Sequence, residues 1–160
     1  MGELSIEARA ADHPDAARLL ERYLEELEVR LGGFDATQSP AAAGEMAPPR
    51  GAFLVAYIDG HAVACGGLRE MQAGTCEIKR MFVGAEARRR GVARRLLAAL
   101  EAEAVRLGYR RVVLDTAAPL GEAEALYRTA GYQVVAPYND NRYAAHWFAK
   151  DLVSADTLDG

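Results

Sequence analysis

The chain has 160 residues, 51% apolar and 26% charged, with a formal net charge of −4. That length suits one compact domain, and the composition excludes a disordered chain, a collagen-like fibre and a coiled coil. The net charge hides a division: residues 78–111 hold ten basic and three acidic side chains, a local +7, and the remainder sums to −11.

Residues 4–9 alternate like a strand, and Asp12, His13 and Pro14 supply a helix start. Ala16, Leu20, Tyr23, Leu27 and Leu31 then recur at helical spacing up to Gly32 and Gly33. Residues 32–50 carry three Gly and three Pro, the make-up of a lid or binding loop, with a short helical turn expected around residues 41–43. Strands follow at 52–58, 62–70 and 76–83, the first two joined by the hairpin signal Asp59-Gly60. Between Gly91 and Leu107, Ala93, Leu97, Leu100, Ala104 and Leu107 make one apolar helix face, closed by Gly108. A buried-type strand at 111–116, a helix at 122–130 ended by Gly131, and strands at 132–136 and 142–152 complete the pattern.

Antiparallel hairpins come first and crossover units later, so the fold class is α+β (mixed α/β), with helices on both faces of the sheet. The crossover from 76–83 to 111–116 requires those two strands to be parallel. A single domain is expected over 1–160, with its core at about 3–152 and a frayed tail at 153–160. Cys65 and Cys76 lack metal-site spacing. A hairpin turning near Gln72 sets Cys65 opposite about position 80, so two buried reduced thiols are expected and no metal. No apolar run reaches the roughly 18 residues that span a bilayer, and no secretory stretch opens the chain. The expected location is the cytoplasm, without membrane or nucleic-acid partners; the arginine run lacks interleaved aromatics.

The sharpest motif is Arg88-Arg89-Arg90-Gly91-Val92-Ala93, lying between a strand end and an amphipathic helix. A helix N-terminus offers unpaired N–H groups and the positive end of the helix dipole. Gly91 and Ala93 let an anion approach the main chain, and arginines add charge. No P-loop or dinucleotide fingerprint is present. A solvated basic helix start is the alternative reading of the same residues.

These residues resemble the (Q/R)xxGx(G/A) acetyl-CoA motif of the GNAT N-acetyltransferase superfamily. Glu77-Ile78-Lys79-Arg80-Met81-Phe82-Val83 is similar to its preceding strand, and Ala125-Leu126-Tyr127-Arg128-Thr129-Ala130-Gly131-Tyr132 to its later helix-to-strand segment. The resemblance covers about residues 50–150. It implies a mixed, mostly antiparallel sheet with a bulged strand splayed from its parallel neighbour. It further implies that Met81, Phe82 and Val83 bind the pantetheine arm, and that Arg88, Arg89, Arg90, Gly91, Val92 and Ala93 hold the phosphates of acetyl-CoA. A main-chain N–H near Phe82 or Val83 would polarise the thioester. Glu77 would accept the ammonium proton, the alternative being a strand-end surface glutamate. Tyr127 would protonate the departing sulfur, the alternative being simple packing.

Two departures from the family pattern stand out. Leu120 occupies the place of a common Asn, and Asp115 is an additional carboxylate that would order Arg80 or substrate, or serve the structure. KRMFV paired with PYNDN resembles a bacterial subgroup of small-molecule acetyltransferases, and family geometry puts Phe34, Asp140 and Asn141 beside the acceptor. The acidic balance outside 78–111 favours a cationic amine. The expected activity is acetyl transfer from acetyl-CoA to a small primary amine by direct attack in a ternary complex. A non-catalytic CoA-binding sensor and a protein N-terminal or lysine acetyltransferase are the alternatives. Homodimers are frequent in the superfamily, and no interface is legible here.

Overall fold

In the computed structural model, residues 2–33, 43–117 and 121–152 are described. In chain order they form β1 (Leu4–Ala8), α1 (Pro14–Leu31), a 3-10 turn (Ala43–Met46), β2 (Ala52–Ile58), β3 (His61–Gln72) and β4 (Thr75–Val83). A second 3-10 turn (Ala85–Ala87) leads to α2 (Val92–Arg106), β5 (Arg111–Ala117), α3 (Gly121–Thr129), β6 (Gln133–Val135) and β7 (Ala144–Asp151). The expected element order is met in full. The final strand starts two residues later than expected, because Asn139 and Asn141 hold residues 139–143 in turns: their side-chain oxygens accept from the main-chain N–H groups of Asn141 and Tyr143.

Local chemistry sets the helix ends. His13 caps α1 by accepting from the Asp15 N–H at 3.1 Å, Pro14 occupies the first turn, and Gly32 closes the helix at φ 67°. The buried stripe of α1 is Ala16, Leu19 and Leu27, with Leu20 and Tyr23 at its margin. In α2 the stripe is Val92, Leu96, Leu97, Leu100 and Ala104, all at most 1% exposed. Each such leucine contributes about 2 kcal/mol of apolar burial.

The seven strands form one sheet in the order β1-β2-β3-β4-β5-β7-β6. Every neighbour pair is antiparallel except β4 with β5. Alternation along β2 splits the core between the two faces. Leu54 and Ala56 join α2 and α3, while Phe53, Val55 and Tyr57 join α1. Cys65 belongs to the α1 face and Cys76 to the other, so the sheet itself separates the two free thiols.

Two irregularities in β4 shape everything that follows. Its pairing with β3 runs Gly67 to Lys79 and then Cys65 to Phe82, so Arg80 and Met81 together oppose Gly66. This is a β-bulge, with Arg80 at φ 59°. The bulge and the turn position bring Cys65 opposite Phe82 rather than position 80. The second irregularity is a splay: β4 and β5 pair only from Thr75 to Glu77 against Arg111 to Val113. Beyond Glu77, β4 has lost its parallel partner and a wedge opens between the strands.

Candidate active site

The wedge leads to the start of α2. Arg89 at φ 64° and Gly91 at φ 77° turn the chain so that α2 begins with no side-chain cap. Its first-turn N–H groups therefore aim out of the helix at the place where the dipole is positive. A side chain at Gly91 would meet no atom within 4 Å, so conformation rather than space calls for glycine here. Arg89 and Arg94 flank this end, and among the described residues neither has an ion-pair partner. Unpaired amides, a helix dipole and two available guanidinium groups form a donor set suited to a pyrophosphate.

From this cradle a cleft of about 790 Å³ runs between α1 and α3 along the splayed half of β4. Its walls are mostly apolar, built from Leu27, Met81, Phe82, Val83, Ala123 and Leu126. Phe82 packs on Tyr23 of α1 with ring centroids 5.8 Å apart. Such a channel fits a flexible, mainly apolar arm whose polar groups pair with a strand edge.

At its inner end the cleft passes Tyr23, Met81 and Tyr127, which also line a smaller chamber of about 90 Å³. The Tyr127 hydroxyl is 3.6 Å from the sulfur of Met81. Its ring packs edge-on against Tyr132 and tilted against Phe148. Desolvation raises its pKa above the usual phenol value, with Tyr23 and Asp115 adding to the shift, so the group is protonated at neutral pH. Burial also pushes Tyr23 up to about 12. Neutral hydroxyl groups thus stand at the junction of the two spaces.

The chamber sits in the splay itself. Ile78 and Leu114 reach it from the face covered by α2, while Lys79 and Asp115 reach it from the opposite face. Lys79 Nζ lies 3.5 Å from Asp115 Oδ2 and 3.6 Å from Glu77 Oε2. Asn139 donates to Asp115 Oδ2 at 2.7 Å and accepts from the Trp147 indole N–H at 2.9 Å. Behind Lys79, Glu77 is 0% exposed and accepts from Arg69 Nε at 2.8 Å and the Tyr138 hydroxyl at 2.5 Å. The Tyr138 phenol is raised above its ordinary pKa, first by desolvation and then by Glu77 and Asp115.

The structure collects most of the residues singled out in the sequence. Met81, Phe82, Val83, Arg88, Arg89, Gly91, Val92, Ala93 and Tyr127 all line the large cleft, and Asn141 lines the chamber. Three expectations change and one narrows. Glu77 lines neither space: its oxygens are engaged by Arg69 and Tyr138 with Lys79 in front, so it anchors a buried network and does not face an acceptor. Asp115, read as ordering Arg80 or substrate or as serving the structure, is the carboxylate that reaches the chamber, with Lys79 Nζ 3.5 Å from it. Arg88 lines the cleft, but its guanidinium donates to both oxygens of Glu26 and to the Val83 carbonyl, which ties α1 to the end of β4. Arg90 and Asp140 are exposed and outside both spaces; Arg94 and Tyr143 stand there instead.

Phe34 and Leu120 lie outside the described residues. Tyr23 was legible only as one member of a helical apolar stripe. Lys79 was hidden in a strand whose alternation, read without a bulge, carried no sign that it borders a cavity.

Comparison with known proteins agrees with this geometry. The family model described as Acetyltransferase (GNAT) family matches residues 15–132. An IAA acetyltransferase from Azospirillum brasilense is 35% identical over 120 residues, 73% of this chain and 78% of the relative. Among solved structures, a GNAT-family acetyltransferase from Staphylococcus aureus superposes with a TM-score of 0.78 at 15% identity, covering 94% of this chain and all of the other. A GNAT-family acetyltransferase from Elizabethkingia anophelis with acetyl-CoA bound gives a TM-score of 0.67 at 16% identity, covering 95% of this chain and all of that one.

Proposed function

This chain belongs to the acetyltransferase (GNAT) family, and from that premise we propose that it moves an acetyl group from acetyl-CoA to the primary amine of a small molecule by direct attack in a ternary complex. The observation that carries the reading is continuity. The uncapped start of α2, the apolar cleft and the polar chamber form one path, with Tyr127 and Met81 at the junction of its last two parts. The relative named IAA acetyltransferase supports a small-molecule acceptor, and a neighbour of the same fold holds acetyl-CoA.

On this reading, the amides at the start of α2, with Arg89 and Arg94, bind the phosphates. The pantetheine arm lies against Met81, Phe82 and Val83, and the thioester rests beside Tyr127. The acceptor amine enters the chamber and loses a proton to Asp115, the carboxylate that faces it, directly or through water. The nitrogen lone pair attacks the acetyl carbon, a main-chain N–H near Phe82 or Val83 stabilises the oxyanion, and the C–S bond breaks. Tyr127 gives its proton to the departing thiolate and is reprotonated by the proton that the new amide nitrogen sheds, directly or through water. Holding both substrates in one path removes much of the entropic cost of bringing them together.

The test pairs calorimetry with a thiol-release assay over a panel of small amines, each product checked by mass. Micromolar acetyl-CoA binding and amine-stimulated release with a mass gain of one acetyl group are expected. Absence of acetyl-CoA binding overturns the reading. Binding without release by any amine replaces the enzyme with a CoA sensor.

A further inference from the structure

Strand register sets the surroundings of the carboxylate that faces the chamber. Asp115 on β5 and Trp147 on β7 stand directly opposite in the antiparallel ladder, so their side chains share one face of the sheet. On the other side of β5, Glu77 pairs with Val113, and two residues further along each strand Lys79 and Asp115 fall on that same face. Asn139 reaches this face from the loop between β6 and β7 and touches both Asp115 and Trp147. Its side-chain nitrogen donates to Asp115 Oδ2 at 2.7 Å, and its oxygen accepts from the Trp147 indole N–H at 2.9 Å. The same oxygen accepts from the main-chain N–H of Asn141 at 3.2 Å.

An asparagine amide can be turned over, exchanging its donor and acceptor ends, and its neighbours decide which way it stands. Two groups that can only donate, the indole and the Asn141 N–H, both meet Asn139 Oδ1. The NH2 end is thereby turned toward Asp115; reversed, a carbonyl oxygen would face a carboxylate and donor would face donor. The hydrogen bond to Asp115 falls on Oδ2, and Lys79 Nζ is 3.5 Å from that same oxygen. Among the described residues no hydrogen bond reaches Oδ1, and no side-chain oxygen is both buried and without a hydrogen bond. Oδ1 therefore keeps open surface, and the space that Asp115 lines is the chamber. Asn139 and Trp147 line neither the chamber nor the large cleft.

We propose, resting on the reading of Asp115 as the base, that Trp147 and Asn139 are positioning residues for it. The indole N–H fixes the amide, the amide holds Oδ2, and Oδ1 is left aimed at the ammonium of the acceptor. Neither residue touches a substrate, and each acts only through the carboxylate. The gain is one of orientation: a base held in line with its proton does not swing out of the acceptor's path.

The test uses the full-length protein, acetyl-CoA and the panel of small primary amines above. Trp147→Phe deletes the N–H and keeps an aromatic ring, and should lower kcat about three- to tenfold, the scale of one neutral hydrogen bond. Asn139→Ala should lower it at least about tenfold, since the bond it removes goes to a charged group. Acetyl-CoA affinity, read by calorimetry, should stay unchanged in both. The deciding measurement places the same two substitutions in Asp115→Asn. Residues that act only through Asp115 should then cost less than about twofold, whereas a structural role lowers kcat by the same factor in both backgrounds. Trp147 is the sole tryptophan of the chain, so its indole N–H gives one NMR signal that needs no turnover to read. That signal should shift between the wild-type protein and Asp115→Asn, because linked hydrogen bonds polarise one another.

Unchanged kcat in Trp147→Phe overturns the proposal, and so does an equal loss in the Asp115→Asn background. An indole signal unmoved in Asp115→Asn overturns it as well, even where Trp147→Phe or Asn139→Ala fails to fold. If Asp115→Asn alone keeps full turnover, the base reading falls and the positioning role with it. Turnover lost in Asp115→Asn but kept in Trp147→Phe overturns the positioning role alone. Acetyl-CoA binding without release by any amine removes the enzyme reading and both roles together.

Discussion

Replacing Tyr127 by Phe removes one oxygen from a side chain that is 6% exposed. The ring keeps its contacts with Tyr132 and Phe148. Among the described residues the hydroxyl donates to the Met81 sulfur at 3.6 Å, a weak acceptor. The folded state therefore loses little: a change below about 0.5 kcal/mol is expected, against the ~1 kcal/mol of an ordinary hydrogen bond. Turnover is a different matter. Losing a positioned general acid costs about 10²–10⁴ in rate, or roughly 3–5 kcal/mol of transition-state stabilisation. Steady-state thiol release, calorimetry with acetyl-CoA and a melting curve together separate the two effects. The expected outcome is a kcat lowered at least about a hundredfold, with acetyl-CoA affinity and melting temperature nearly unchanged. Unchanged kcat would refute the acid role. A fall in kcat matched by a large fall in stability would show that the hydroxyl is structural and that the contact with Met81 had been undervalued.

Further expectations concern the buried network, the cradle and pH. Glu77→Gln should destabilise the protein by about 3 kcal/mol, because Arg69 and Lys79 lose a fully buried counter-charge; a urea melt unmoved by the change would show that the network is not an anchor. Gly91→Ala should cost about 1 kcal/mol at φ 77° and weaken acetyl-CoA binding by disturbing the start of α2, read by calorimetry. Asp115→Asn should lower kcat/KM by at least about tenfold and steepen its rise with pH, since the acceptor must then arrive already deprotonated. For pH and stability, Cys65 and Cys76 are raised from 9.0 to about 12, and Tyr23 from 10.0 to about 12. Each is neutral when protonated and buried, so its contribution is intact below its unfolded pKa and is lost as pH rises toward 12. Stability should hold to about pH 9 and fall above it; denaturant melts that stay level from pH 9 to 11 would contradict that burial.

Strand and helix order were readable because each element announces itself within a few residues. Asp59-Gly60 turns one hairpin, Gly108 closes α2, and the apolar period of α2 is unbroken. The cradle was readable for the same reason, being a contiguous motif. The chamber was not, since it depends on which way each β4 side chain points, and a bulge leaves no local sign. Arg80 and Met81 share a single opposing residue only because β3 and β4 meet in that register, a property of two distant segments. The burial of Glu77 likewise depends on Tyr138, sixty-one positions away, whose loop returns across the sheet. Tyr23 looked like any core residue of an amphipathic helix until the splay opened a space beneath it.

The bulge in β4 has a consequence for how such a protein can change over generations. Ahead of it, Glu77 and Lys79 answer to the buried network and the chamber; after it, Met81, Phe82 and Val83 answer to the cleft. Because the extra residue absorbs half a strand period, the two sets are not bound to one alternation. Substitutions on the chamber side can accumulate while those on the cleft side stay constrained. The joint lets one strand keep a fixed donor site while its choice of acceptor drifts.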